Sequence, residues 1–225
     1  MPMSTPLLLI GAGGFARETV ELVRAINRDA PTWDLAGLLD DDAKLHGREL
    51  LGVPVLGPCG AVEEHPRASV AACVASPGDP LRRLNLVARL GLPPERYATL
   101  VHPSATVPGS ARIGVGSVLH ANAVLTAEVE LGRHVAAMPS VVLTHDDVVE
   151  DGVTFGAGAV VAGWVRVEAG AYVGAGALLR ERLTVGAGAV VGMGAVVTKP
   201  VPPGEVWYGS PARPSGRSAH LEAVR

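Results

Sequence analysis

One spacing constrains this chain more than anything else in it. Stepping by six from Val101 meets Val107, Ile113, Leu119, Leu125, Leu131, Ala137, Leu143, Val149, Phe155, Val161, Val167, Val173, Leu179, Val185, Val191 and Val197, an unbroken apolar series. With about half of all residues apolar, such a run arises by chance on the order of once in ten thousand. Four places after each of these, the residue is small or aliphatic, from Ala105, Ala111, Ser117 and Ala123 through to Ala195, and Asp147 is the exception. A period of six belongs neither to a helix at 3.6 nor to a strand at 2. It fits a short strand and a tight turn, with three such units closing a triangular coil, large residues inward and small ones at the corners. Coils of this kind stack as parallel strands about 4.8 Å apart. Residues 101–197 therefore read as an all-β left-handed parallel β-helix. Composition agrees: aromatics are only 4 % and glycines number 28, yet 48 % of residues are hydrophobic, which disorder does not produce.

Residues 1–100 read differently. Leu7–Ile10 is a buried strand, followed by Gly11-Ala12-Gly13-Gly14-Phe15-Ala16 and a helical pattern to about Ile26. Leu35–Leu39 is a second strand ending in Asp40-Asp41-Asp42, Ala68–Val74 a third, and Pro80–Leu90 a second helix with Arg82 and Arg83 near its start. Strands alternating with helices imply a Rossmann-like α/β lobe with a small parallel sheet. The glycine loop satisfies G-x-G-x-x-G/A between a strand and a helix, where phosphate can approach the helix N-terminal amides. By itself it fits a dinucleotide cofactor, a nucleotide sugar or a plain glycine-rich turn. The acidic residues after it suit either ribose hydroxyls or a solvated turn.

The net charge of −3 carries no polyanion-binding pattern, so nucleic acid is not an expected partner. Cys59 and Cys73 have neither pairing nor metal-ligand spacing. The Leu7–Ile10 run is too short for a signal-peptide core or a membrane span, so a soluble cytoplasmic protein without membrane insertion is expected. Residues 198–225 are expected to be a C-terminal loop and tail, polar from Arg213 onward.

Thr144-His145-Asp146-Asp147 is the one polar interruption of the repeat. His145 takes the third place of its hexad, which faces outward near a turn. Acyl transfer from a thioester needs a base for the acceptor's proton. Histidine suits that role, and a neighbouring carboxylate can fix its tautomer. A histidine on a β-helix turn is as readily a solvated surface residue. His102, His120, His134 and His220 lack the acidic neighbourhood and read as structural or solvated.

The hexapeptide prism, the Gly11–Ala16 loop with Asp40-Asp41 after the second strand, His102-Pro103-Ser104-Ala105 opening the repeat and Gly209-Ser210-Pro211-Ala212 closing it occur together. In that order they resemble the bacterial sugar acyltransferases of the hexapeptide-repeat class. That family includes sialic-acid O-acetyltransferases and the N-acetyltransferases of nucleotide-linked 4-amino-4,6-dideoxy sugars, of the bacillosamine and perosamine type. The resemblance implies a homotrimer with clefts between neighbouring prisms, acetyl-CoA as co-substrate, a nucleotide-linked sugar on the N-terminal lobe, no metal, and a place in surface-glycan synthesis. It implies His145 as general base with Asp146 behind it, and Gly163 as an oxyanion-type amide. Ala175, Gly192, Met193 and Gly194 would line the CoA channel, and Gly11, Gly13, Gly14, Asp40 and Asp41 the nucleotide-sugar site.

Two departures stand out: relatives often carry histidine where this chain has Thr154 and Phe15. Asp147, where relatives often have cysteine, has no explanation at this level. Sugar O-acetylation is the nearest alternative, and a non-catalytic nucleotide-binding trimer is another. A zinc carbonic anhydrase on the same prism would need about three converging histidines. His120, His134 and His145 occupy different hexad places. An NAD-dependent oxidoreductase would need a substrate domain that the prism does not offer.

Overall fold

The computed structural model describes residues 4–218. His220 and the tail from 219 onward, with what the sequence suggests for them, lie outside the described residues. The chain starts with β1 (Thr5–Ile10), α1 (Gly14–Asp29) and β2 (Trp33–Leu39), then β3 (Glu49–Leu50), β4 (Val53–Gly57), β5 (Ser69–Ala72) and α2 (Arg82–Leu90). The sheet order is β3-β4-β2-β1-β5, with β1 parallel to both its neighbours. Burial on both faces explains why Leu7–Ile10 is a continuous apolar run: α1 packs on the side of Leu7 and Leu9, α2 on the side of Leu8 and Ile10. The β3–β4 hairpin is absent from the sequence reading. Its turn, Leu51-Gly52, has both residues in the left-handed region (φ 53° and 73°), and leucine there gives no turn signal.

From Leu100–Val101 to Val196–Val197 the chain forms two-residue strands in three parallel sheets, the walls of a prism. The amide of residue i donates to the carbonyl of residue i+17, as from Val118 to Val135, Val124 to Val141 and Thr144 to Val161. The sixfold apolar residue faces inward and is almost wholly buried from Leu119 to Val197. Val107 departs from this at 37 % exposure, because the first coil has nothing beneath it and its segment on the open face makes only an isolated bridge, at Thr106.

Each wall has its own outward face. The lobe face carries Val118, Ala136, Thr154 and Val190, all buried. The charged face carries Arg112, Glu130 and Arg166, with ion pairs Arg112–Glu130 at 3.0 Å and Arg166–Glu150 at 2.9 Å. The open face carries Val124, Val142, Val160, Leu178 and Val196, an aliphatic stripe with Leu178 at 45 % exposure.

The stretch after 197, expected as loop, holds a hairpin of Glu205–Gly209 and Ala212–Arg217. Its first strand extends the lobe-face sheet beyond Val190–Val191, and Trp207 and Ala212 join the prism core. An unpaired sheet edge and an uncovered apolar end both favour that closure. The polar residues of 213–217 simply point to solvent. Among the described residues no helix is long and apolar enough to cross a membrane.

Arg83 joins the lobe to the prism. It is 2 % exposed, and its guanidinium donates to the carbonyls of Val74, His134, Gly152 and Val153 and to the Thr154 hydroxyl at 2.6 Å. Burial lowers its pKa to about 10, so it remains cationic at neutral pH. Leu81 and Leu84 pack over Gly170 and Gly152, where a Cβ would come within 2.3 and 2.4 Å of them.

At the corners inside the prism, two polar side chains stand among aliphatic ones. Ser117 Oγ accepts from Val135 N–H and donates to Gly132 O. Asp147, fully buried, accepts from Thr144 N–H and from Val165 N–H, each at 2.9 Å, and so ties one coil to the next. Burial pushes its carboxyl from 3.8 up to about 7.

Two predictions follow from these buried groups. Arg83→Ala should cost about 3 kcal/mol in urea unfolding, because several buried carbonyls lose their donor and a cavity opens. A change within about 0.5 kcal/mol would mean that the carbonyls find other partners. For Asp147, the folded state holds the proton more tightly than the unfolded chain. Its stabilising contribution is complete below about pH 4 and is lost as pH rises through about 7. His120 and His134, pushed down to about 4 by burial, run the other way and cost stability as pH falls from 6.5. The stability of the wild type relative to Asp147→Asn should therefore decline between pH 4 and pH 7, read from urea midpoints. A flat difference would refute it.

Candidate active site

His145 sits on the corner between the open and charged faces, in the turn that follows Val142–Leu143. The next residue, Asp146, is in the left-handed region (φ 60°), as are its counterparts one coil apart, Glu128, Trp164 and Arg182. That conformation brings the Asp146 carboxylate back to its neighbour, and His145 Nδ1 donates to Asp146 Oδ2 at 2.9 Å. In the neutral ring that contact leaves Nε2 as the atom with the lone pair. Both side chains are open to solvent, at 46 % and 43 %. The ring lies over Gly163, its counterpart one coil on, where a Cβ would meet His145 Cε1 at 2.4 Å. Only glycine leaves room for the imidazole. The Gly163 amide N–H donates to no group among the described residues.

Sequence reasoning missed the other half of this corner. Trp164 stands edge-to-face with His145, ring centroids 4.3 Å apart, and the Arg182 guanidinium lies 4.1 Å from the Trp164 ring centroid. Stepping by eighteen from Asp146 meets both, so the signal was present in the spacing. Asp147, unexplained by sequence, acts from inside: its two amide contacts hold the His145 turn against the Trp164 turn.

Ala175, Gly192, Met193 and Gly194 gather on another corner, between the lobe face and the open face. Met193 is 81 % exposed there. One chain therefore does not unite them with His145, Asp146 and Gly163: the whole open face lies between the two corners.

The third group lies on the lobe. Gly11 (φ 112°) ends β1, and a Cβ on it would lie 2.8 Å from Cys73 O. Gly13 caps α1 with no side-chain acceptor, and Gly14 is exposed, so first-turn amides of α1 remain available. Asp40 accepts from Ala12 N–H at 2.7 Å and from Asp42 N–H at 2.9 Å, bracing the glycine loop. Asp41 accepts from Cys59 N–H and pairs with Arg89 at 2.7 Å; Arg89 first, then the Cys59 amide, hold its carboxyl below the usual range. A cleft of about 240 Å³ is lined by Gly11, Asp40, Asp41, Arg82, Asn85 and Arg89. Arg82 also lines the adjoining space beside Gly13 and Gly14. Arg82, Asn85 and Arg89 went unassigned in the sequence because a helix pattern shows amphipathicity, not which turn meets which loop.

Phe15 and Thr154 meet on one side chain. The Arg83 guanidinium that binds the Thr154 hydroxyl lies 5.8 Å from the Phe15 ring centroid. His120, His134 and His145 stand at three different corners, and among the described residues no three His, Cys, Asp or Glu side chains converge as a metal's ligands would.

Residues 6–90 match the sequence profile of the PglD N-terminal domain. Over 117 residues the chain is 36 % identical to the UDP-N-acetylbacillosamine N-acetyltransferase of Bacillus subtilis (strain 168), covering 50 % of each; the match spans about half the length of that curated relative. The acetyltransferase domain of PglB from Neisseria gonorrhoeae FA1090, solved with acetyl coenzyme A, superposes with a TM-score of 0.83 at 31 % identity, covering 95 % of this chain and 100 % of that domain. PerB from Caulobacter crescentus, solved with CoA and GDP-perosamine, gives 0.80 at 28 % identity, covering 94 % and 97 %. This chain belongs to the bacterial sugar acyltransferase family of hexapeptide-repeat proteins, the one that includes the N-acetyltransferases of nucleotide-linked amino sugars.

Proposed function

We infer that this chain is a cytoplasmic acetyltransferase that moves an acetyl group from acetyl-CoA to the amine of a nucleotide-linked 4-amino-4,6-dideoxy sugar, in a homotrimer whose sites lie between prisms. The observation that carries the reading is the His145–Asp146 pair set over Gly163, in a chain of which 95 % matches the gonococcal domain solved with acetyl coenzyme A.

In this reading the sugar amine attacks the thioester carbonyl while His145 Nε2 takes its proton, and Asp146 holds the ring and its growing positive charge. The Gly163 N–H, with no partner of its own, meets the oxyanion. The C–S bond then breaks, CoA leaves as the thiol, and no covalent enzyme intermediate forms. On the lobe, α1's free amides and Arg82 suit a diphosphate, and Asp40 and Asp41 suit the ribose. The Ala175 and Met193 corner is the thioester channel of a neighbouring copy. The division of the groups between two corners supports an intersubunit site, and the aliphatic stripe Val124, Val142, Val160, Leu178, Val196 supplies the surface that copies would bury.

Thiol release from acetyl-CoA, measured against a panel of amino-sugar nucleotides, tests the activity. His145→Ala should lower turnover at least about a hundredfold with the folded state intact, and near-normal turnover removes the mechanism. Release with hydroxy sugars but with no amino sugar would move the reading to O-acetylation. Leu178→Asp places a charge on the stripe and should give monomers by sedimentation, with activity lost alongside. A variant of wild-type size and rate would remove the open face as the interface.

A further inference from the structure

The corner that carries His145 also carries two side chains to which the mechanism above gives no part. Asp146, Trp164 and Arg182 occupy equivalent turn places in successive coils, all at φ near 60°. The stacking is maintained by the backbone: Trp164 N–H donates to His145 O, and Arg182 N–H to Gly163 O, at 3.1 and 3.0 Å. Inside the prism, the buried Asp147 carboxylate grips Thr144 N–H and Val165 N–H and so fixes the spacing of the first two turns. On the outside, the indole of Trp164 is held from one direction by Arg182 and meets the imidazole of His145 from another.

We propose that Trp164, clamped by Arg182, is a positioning residue for His145: it fixes the ring so that Nδ1 stays on Asp146 and Nε2 is presented to the acceptor. This rests on the reading of His145 as the base. An imidazole with one hydrogen bond can still swing about its Cβ–Cγ bond. The edge-to-face contact removes that freedom, and Gly163 leaves open the space that the ring must fill. Trp164 is itself 47 % exposed, which nothing in the prism core requires of so large an apolar group.

The test uses the full chain with Trp164→Leu, Trp164→Phe and Arg182→Gln. Turnover is read against pH, and the His145 ring is followed by nitrogen chemical shifts in histidine-labelled protein. Trp164→Leu is expected to lower kcat about tenfold or more, with KM for acetyl-CoA within about twofold, and Trp164→Phe to recover most of the loss. Arg182→Gln, which releases the indole, is expected to lower kcat in the same direction by a smaller factor, with KM for acetyl-CoA again within about twofold. An unchanged His145 tautomer and ring environment in Trp164→Leu and Arg182→Gln overturns the proposal, as does a loss confined to KM, which would make Trp164 a binding surface. Failure of the base reading looks different: His145→Ala would keep its turnover, while the shifts of His145 would still report on the stack.

Discussion

The ladder that joins the amide of residue i to the carbonyl of residue i+17 is the constraint from which the rest of this molecule follows. Because each coil closes after eighteen residues, a side chain placed at a turn lies directly beside its counterpart in the next coil. The corner of the proposed base is built by that rule alone. Gly163 is the counterpart of His145, and only a glycine admits the ring. Trp164 and Arg182 are counterparts of Asp146, sharing its left-handed turn. A slip of one residue in the register would exchange inward and outward side chains and dismantle the core and the corner together.

Two of the charged groups that this fold buries each span a boundary. Asp147 joins successive coils by accepting two amides. Arg83 joins the lobe to the prism by donating to four carbonyls and a hydroxyl. Each costs desolvation, and each is compensated by several hydrogen bonds to buried backbone groups. The Arg83 site also gives a physical account of Thr154 and Phe15. A threonine presents a hydroxyl acceptor to the guanidinium, and a phenyl ring offers it a face without a competing donor. Two residues that look like unrelated departures in the sequence belong to one packing solution around a single cation.

How much of this could be read from the sequence depended on whether the signal was periodic. The inward residues, the outward place of His145 and the strand–loop–helix around Gly11 were all legible, because spacing alone determines them. The three faces were legible too, had the outward positions been stepped by eighteen: Val124, Val142, Val160, Leu178 and Val196 are aliphatic, while Arg112, Glu130 and Arg166 are charged. Contacts between distant segments were not. Arg83 sits 51 residues or more from its prism partners, and no local pattern distinguishes it from Arg82, which faces the cleft instead. The β3–β4 hairpin was missed because Leu51 gives no turn signal, and the C-terminal hairpin because its second strand, Ala212–Arg217, carries Pro, Ser, Gly and Arg and shows no strand pattern. Both form because a sheet edge needs pairing and an apolar end needs covering.

The faces also bear on why the proposed site should require more than one copy. The lobe face is covered by the chain's own N-terminal half through Arg83, Leu81 and Leu84, and the charged face is solvated and laced with ion pairs. Among the described residues, the open face is the prism wall that presents an aliphatic stripe to water. His145, Asp146 and Gly163 border it on one side, and Ala175, Gly192, Met193 and Gly194 on the other. Burying that wall between copies is the step that the hydrophobic effect favours. In the proposed assembly the same step would bring the base corner of one prism toward the opposite corner of the next. Assembly and the completion of the site would then be a single event, driven by the same valines and leucine, and an isolated chain would hold both halves of the machinery facing away from each other.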